Sequence, residues 1–275
     1  MSRARIFSTR ISTARVLIML AIPALAAGIC AVDAFYIEPN FPRVVELEVK
    51  IKDLPKELDG LKIVHLTDIH LVTVDKREDR ALAKIDAIKP DIICLTGDYV
   101  EDDGITPGHY TKQDCTRHFR YFCYRLKAKH GVFAVSGNWD PLTLEQDIAG
   151  TGVKVLDKKS ATVKIRGASL TIAGSFVVEK DMVKARPLIV LDHFPEAADN
   201  LVRAGRHADL VLAGHWHGGQ VNLPGQTPQV KYLAGLYRVG DIQLYVGRGL
   251  GMHTHAVRFR CPSEIALIVL RAERE

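Results

Sequence analysis

Five short apolar runs govern what this chain can fold into: Ile63–Leu66, Ile92–Leu95, Val132–Val135, Leu188–Leu191 and Leu210–Ala213. Each is rich in β-branched or bulky residues, and none alternates with polar positions as a half-exposed strand would. Continuous apolarity over so short a length fits strands covered on both faces, the pattern of a parallel sheet inside an α/β domain. Between the first two runs, Leu82, Ile85 and Ile88 recur at helical spacing before Pro90 closes the segment. Phe119, Phe122, Cys123 and Leu126 repeat that spacing ahead of Gly131, which is expected to cap the helix. Pro195 opens a further helix with Ala198, Leu201 and Val202 on one face. Leu170–Ala173, Leu244–Val246 and Ile265–Leu270 add strand-like runs. The order predicts one α/β domain, residues 44–275, with no internal repeat.

Residues 1–43 are of a different kind. Val16–Val32 carries no charge, follows Arg3, Arg5, Arg10 and Arg15, and precedes Asp33 and Glu38. The stretch is at the short end for a membrane-spanning helix, which needs about 17–25 residues. It also resembles a signal-peptide core, with Ala24, Ala26 and Ala27 as small residues for cleavage, so anchor and signal peptide both stay open. The positive flank predicts a cytoplasmic N-terminus and an extracytoplasmic, periplasmic-side catalytic body. Those arginines also supply part of the net charge of +5, which leaves the body near neutral and gives no electrostatic case for nucleic acid. Among the five cysteines, Cys115 and Cys123 leave a disulfide open; the spacings fit neither a zinc ribbon nor a Cys-x-x-Cys redox pair.

The residues just past each apolar run carry the chemistry. Asp68-Ile69-His70 comes after the first, Gly97-Asp98 after the second, and Gly137-Asn138-Trp139-Asp140 after the third. His193 comes after the fourth, and Gly214-His215-Trp216-His217-Gly218-Gly219-Gln220 after the fifth. All therefore fall at the carboxyl ends of strands, where α/β sheets build their sites. In Asp68-x-His70 and His215-x-His217, side chains two apart on an extended segment point the same way, so each pair can hold one metal together. Two carboxylates, one amide and four imidazoles make a nitrogen and oxygen donor set suited to Mn, Fe, Zn or Ni rather than Ca or Mg. Singly these motifs are turns and caps; five in this order at five strand ends are not.

The order Asp-x-His, Gly-Asp, Gly-Asn-x-Asp, His, Gly-His-x-His resembles the calcineurin-like metallophosphoesterase superfamily. Leu66–His70, Gly214–Gln220 and Leu244–Gly251 resemble its YkuE/YaeI-like bacterial branch, and the likeness runs from about Leu61 to the C-terminus. It implies a four-layer α/β/β/α sandwich and two divalent metal ions, Mn, Fe or Zn. Asp68, His70 and His217 would hold one ion, and Asn138, His193 and His215 the other, with Asp98 bridging. Asp98, Asn138 and His215 would then be catalytic, and hydroxide generated between the ions would attack phosphorus in line.

One position departs from the pattern. Many relatives carry histidine where this chain has Trp139, and indole offers only a donor. That substitution favours leaving groups needing no general acid, such as the phosphate of a pyrophosphate. His253 and His255 in Gly251-Met-His-Thr-His are either replacement contacts to substrate or exposed loop residues, and Trp139 either a substrate contact or an apolar lid. Asp192 is either support for the His193 imidazole or a loop carboxylate. The reading is a hydrolase of a phosphodiester or pyrophosphate in a membrane-associated small-molecule or lipid substrate. A UDP-2,3-diacylglucosamine pyrophosphatase, a broad-specificity phosphomonoesterase and a non-catalytic interaction module are its rivals. Oligomeric state is left open, and specificity is expected in Asp102–Cys115 and Asn222–Val230.

Overall fold

Each of the five apolar runs becomes a strand with every described residue at its centre buried. The structure is a computed structural model that describes residues 13–101, 110–177, 185–225 and 228–273. Its strands are β1 (Arg43–Ile51), β2 (Lys62–Leu66), β3 (Ile92–Thr96), β4 (Val132–Val135), β5 (Val153–Val155) and β6 (Ser160–Ile165). They continue with β7 (Ala168–Gly174), β8 (Leu188–Leu191), β9 (Leu210–Ala213), β10 (Gly235–Val239), β11 (Ile242–Val246) and β12 (Glu264–Ala272). One sheet has the order β1-β12-β2-β3-β4-β5 and the other β10-β11-β9-β8-β7-β6. Within them β2, β3 and β4 run parallel, as do β7, β8, β9 and β11, while β12 lies antiparallel to β2.

The two sheets share a core between them, in which Ile63, Ile92, Cys94 and Phe133 meet Ile172, Ile189, Leu191 and Leu212. The outer face of the first sheet is covered by α3 (Lys76–Ile88) and α4 (Lys112–Arg125), through Leu82, Ile85, Phe119 and Phe122. The outer face of the second is covered by α6 (Ala197–Arg203), through Ala198 and Leu201. That is the four-layer sandwich. Phe119 and Phe122 are fully buried, and truncating either to alanine would cost about 3–5 kcal/mol.

Helix boundaries have local causes. At the start of α3 the Asp75 carboxylate accepts from the Arg77 N–H at 2.8 Å, and Glu78 reaches back to the Asp75 N–H at 3.1 Å. Lys89 ends the helix in the left-handed region, and Pro90 follows. Thr111 and Asp114 form the same reciprocal cap on α4. Gly131 does not cap that helix: Leu126 takes the position, its N–H bonding the Cys123 carbonyl, and Gly131 instead opens the turn into β4. Cys115 and Cys123 ride on α4, where eight residues separate their backbones by about 12 Å, beyond disulfide reach.

The apolar N-terminal segment is helical. Helix α1 (Thr13–Val32) passes through a π-helical turn at Asp33–Ile37 into a last short turn, α2 (Glu38–Asn40). By length and composition Met19–Asn40 is long and apolar enough to cross a membrane. The remaining short helix, α5 (Leu144–Asp147), comes after the β4 loop.

Candidate metal centre

The loops after β2, β3, β4, β8 and β9 converge at one edge of the sandwich. Besides a group of His70, Glu101 and His253, two donor clusters form there, each with its ligand atoms within 4.8 Å of one another: Asp68, His70 and His217, and Asp98, His193 and His215. Asp98 stands between them. Its Oδ2 lies 3.1 Å from His193 Nε2 and 3.8 Å from His70 Nε2.

Within Asp-x-His and His-x-His the backbone is not extended. Asp68, His70, His215 and His217 all have φ between 42° and 79°, in the left-handed region. The extended geometry that would let His215 and His217 hold one ion together is therefore corrected: the turn sends His217 to the first cluster and His215 to the second, the division that the family resemblance implies. Asp68 and His70 do share a cluster. Gly214 permits this turn, since a Cβ there would collide with the Thr67 hydroxyl and the Asp68 carboxylate. The His215 N–H instead reaches both Asp68 oxygens at 3.0 Å.

Two of the imidazoles, His193 and His70, have a second partner on the far side of the ring. His193 Nδ1 donates to the Thr96 carbonyl at 2.9 Å, which turns Nε2 toward Asp98 and, at 3.0 Å, toward His215 Nδ1. His70 Nδ1 stands 2.6 Å from the Glu101 carboxylate, leaving Nε2 on the Asp98 side. Burial pushes the His193 imidazole down, but the Asp98 hydrogen bond and the Asp68 and Asp98 charges outweigh it and lift it to about 9. Burial also raises Asp98, yet the His193 and Trp139 hydrogen bonds hold it below the ordinary carboxylate range. Burial, with the neighbouring His70 and Arg258 charges, holds His217 well below a normal imidazole.

The β4 loop is tied to the β3 loop by Asp140. Its carboxylate accepts from the Asp98, Gly137 and Tyr99 N–H groups, each at 2.8 Å, and burial lifts it to about 6. The Trp139 N–H completes the tie by donating to Asp98 Oδ1 at 2.9 Å. Asn138 lies exposed between the anchored Gly137 and Trp139.

His253 belongs to the site. Its Nδ1 is 3.2 Å from Glu101 Oε2, and its ring centroid lies 4.7 Å from Trp139 and 5.1 Å from His70. His255 is exposed and enters through its carbonyl, which accepts from Gln220. Asp192 is not support for the neighbouring imidazole: its Oδ1 accepts from the Phe194 N–H at 2.7 Å and fixes that turn. Phe194 in turn packs on His193 and His215, with ring centroids 5.0 and 4.6 Å away. A cavity of about 580 Å³ opens beside it, lined by Phe176, Phe194, Ala197 and Leu201. Of the segments expected to set specificity, residues 102–109 and 226–227 lie outside the described residues.

Sequence reasoning missed Glu101 and the clamp role of Asp140. Asp140 was visible inside Gly-Asn-x-Asp, but its three backbone partners were not. Glu101 stands three residues beyond Asp98 and is buried, but in the sequence it heads the acidic run Glu101-Asp102-Asp103, which reads as a solvated loop and hides it.

A two-sheet α/β sandwich that gathers aspartates and histidines at five strand ends defines a metal-dependent phosphoester hydrolase. The chain matches the calcineurin-like phosphoesterase family over residues 61–219 and belongs to it. It is similar to the metallophosphoesterase YkuE of Bacillus subtilis (strain 168), at 30% identity covering 92% of this chain and 94% of that protein. It is also similar to the UDP-2,3-diacylglucosamine pyrophosphatase LpxG of Chlamydia trachomatis, at 27% identity covering 93% and 96%. A third relative is a transmembrane protein with metallophosphoesterase domain from Danio rerio, at 27% identity; the match covers 90% of this chain but 62% of that longer protein.

Proposed function

We propose that the chain hydrolyses a phosphodiester or pyrophosphate bond in a membrane-associated substrate, using two divalent ions of Mn, Fe or Zn type. Asp68, His70 and His217 would hold one ion, His193, His215 and Asn138 the other, and Asp98 both. The observation that carries the reading is Asp98 Oδ2, which faces His193 on one side and His70 on the other. The residues fit the ions: both ring nitrogens of His70 and Nδ1 of His217 are buried without a hydrogen-bond partner among the described residues, and His217 Nε2 faces the Asp68 carboxylate at 3.5 Å. Such orphaned donors are costly unless a ligand satisfies them. The Trp139 bond to Asp98 supports Asn138, because it pins the Asn138 loop against the shared carboxylate.

When bound, the ions would supply Lewis-acid charge at the phosphoryl oxygens and an acidified water as nucleophile. The chain's own residues do the rest. Thr96 and Glu101 hold the imidazoles in their ligating orientation, and Asp140 fixes the loop that carries Asn138. His253 and Trp139 border the reacting phosphoryl group on the Glu101 side. Phe176 and Phe194 offer an apolar wall on the other, room for the organic group carried by the phosphate. With indole at position 139, turnover should depend steeply on leaving-group acidity. A panel with added Mn²⁺ should show nitrophenyl esters and pyrophosphates ahead of alkyl monoesters by about 10²-fold or more, the scale of general-acid assistance. Equal rates across the panel would contradict this.

The likeness to LpxG over nearly the whole of both chains favours a second reading, cleavage of the pyrophosphate in a UDP-linked diacyl sugar. The two readings place the body on opposite sides of the membrane. The charged flank of the apolar helix supports an extracytoplasmic body, with residues 1–43 as anchor and 44–275 as catalytic domain. An active alkaline phosphatase fusion at the C-terminus supports that side; an active cytosolic reporter supports the UDP-sugar reading.

A further inference from the structure

The end of the apolar helix has two unlike faces. One is built into the body. The Ala34 carbonyl accepts from the Arg258 N–H at 2.9 Å, and Glu38 Oε2 accepts from the Cys261 N–H at 2.8 Å. The Glu38 carbonyl accepts from the Ser263 N–H, and the Ser263 hydroxyl donates to the Pro39 carbonyl, both at 3.1 Å. The clasping segment is itself part of the site's frame. The fully buried Arg258 guanidinium donates to the carbonyls of Gly249 and Gly251, and the Gly251 N–H bonds the Asp68 carbonyl at 2.8 Å. The Cys261 thiol reaches the His217 carbonyl at 3.1 Å. Backbone at His217 is thus bonded directly to the segment that grips the helix, and backbone at Asp68 is linked to it through Gly251, which the Arg258 guanidinium holds.

The other face is bare and apolar. Phe35 is 65% exposed and Tyr36 55%, with Ile37, Phe41 and Val44 beside them. Arg43, Arg80 and Lys84 flank this rim; Arg80 lies over the Phe41 ring and donates to the Asn40 carbonyl, and Lys84 donates to the Pro42 carbonyl. Above the rim the helix is exposed on every side, Leu20, Ile22, Leu25, Ile29 and Val32 included. Apolar residues all round a helix call for lipid rather than a protein groove. The 20 residues of α1 rise about 30 Å, one hydrocarbon thickness. Asp33 and the aromatic rim therefore fall where a bilayer gives way to headgroups, the level at which tyrosine and basic residues anchor.

We propose that Asp33–Val44 is an interfacial foot: Phe35, Tyr36, Phe41 and Val44 seat in the headgroup layer of a bilayer, while Arg258–Ser263 clasps the opposite face to the metal site. The enzyme is then held at fixed height over the membrane and works on phosphoesters carried by lipids of that same bilayer. His253 is five residues from Arg258, a chain reach of about 18 Å at most, so the site stays close to the headgroups. This rests on the phosphoesterase reading of the site, which hydrolysis of soluble bis-p-nitrophenyl phosphate with Mn²⁺ tests separately.

The test uses the full chain in phosphatidylglycerol–phosphatidylethanolamine vesicles, with Cys30→Ala to remove the exposed thiol. Nitroxide labels are placed singly at F35C, F41C and V44C, and at Y121C on α4 as an exposed control. Collision accessibility should show the three foot positions reached by oxygen and shielded from a water-soluble nickel chelate at least fivefold relative to position 121. Spin–spin distance between labels at 35 and 121 should be one narrow distribution, broadened by Ser263→Ala combined with Glu38→Gln. Should that pair fail to fold, Ser263→Ala alone serves, since it removes one hydroxyl contact. Foot labels as water-exposed as position 121, or a broad distance in the intact chain, would overturn the proposal whatever the soluble diester shows.

Discussion

The two donor clusters are built from similar residues but are held in different ways. His193 in one is fixed by backbone, its Nδ1 on the Thr96 carbonyl at the end of a central strand. His70 in the other is fixed by a side chain, Glu101, which also faces His253. The first arrangement sits on β3, β8 and β9, whose residues are buried throughout. The second leans on the loops at 98–101 and 247–263, and the latter also meets the end of the apolar helix through Arg258, Cys261 and Ser263. One cluster is thus an extension of the sheet, and the other depends on contacts made far along the chain. The strand-end cluster should tolerate changes around it, and the loop-backed cluster should not.

The most severe way to erase the distinction is Asp98→Asn, since Asp98 faces both clusters. Turnover should fall by about 10³-fold, the upper scale for removing one preorganised electrostatic contact, and both clusters should lose affinity for Mn²⁺. Steady-state hydrolysis and a metal titration check it; near-normal turnover at saturating Mn²⁺ would dismiss the shared role. A change confined to one cluster comes next. Glu101→Gln keeps the shape but removes the charge behind His70, and outer-shell partners of this kind are worth about 10–100-fold in metal affinity. The loss should appear at one of two binding steps in calorimetry. Equal weakening of both steps would mean that Glu101 serves the fold rather than the His70 cluster.

These contrasts were unequally legible in the sequence. Asp68, His70, Asp98, His193, His215 and His217 could be read because each stands within a few residues of an apolar run, and the runs themselves became β2, β3, β4, β8 and β9. Strands β1, β6 and β10 escaped notice, since their alternating exposure leaves polar residues such as Glu46, Glu48, Lys164 and Arg238 among the apolar ones. Spacing alone misreads the pairing for a backbone reason: left-handed φ at His215 and His217 separates side chains that extended geometry would align, whereas the family resemblance assigns the two imidazoles to different ions. Glu101 and His253 meet across a separation of 152 residues, and no local pattern announces a contact of that kind.

An effect on stability rather than on turnover or metal affinity bears on the comparison from beneath. His65 lies on β2 under both clusters, bonded to the Thr96 hydroxyl at 2.7 Å, and burial depresses it to about 3. Between pH 6.5 and about 3 the unfolded chain takes up a proton there that the folded chain refuses. Stability is therefore complete above pH 6.5 and falls as pH drops through that window, by about 5 kcal/mol in total. His65→Gln should flatten the acid limb of a urea-denaturation series, and an unchanged slope would show that His65 is not the group responsible.

The central claim is that Asp68, His70 and His217 on one side, and His193 and His215 on the other, form two separate ion sites around Asp98. Elemental analysis of Mn²⁺-reconstituted full-length protein after desalting tests it most directly, with His215→Ala and His217→Ala measured alongside. The account predicts about two ions per intact chain and about one in each single variant, with the first cluster emptied by His217→Ala and the second by His215→Ala. One ion or fewer in the intact chain, or loss of both from either imidazole variant, would contradict it.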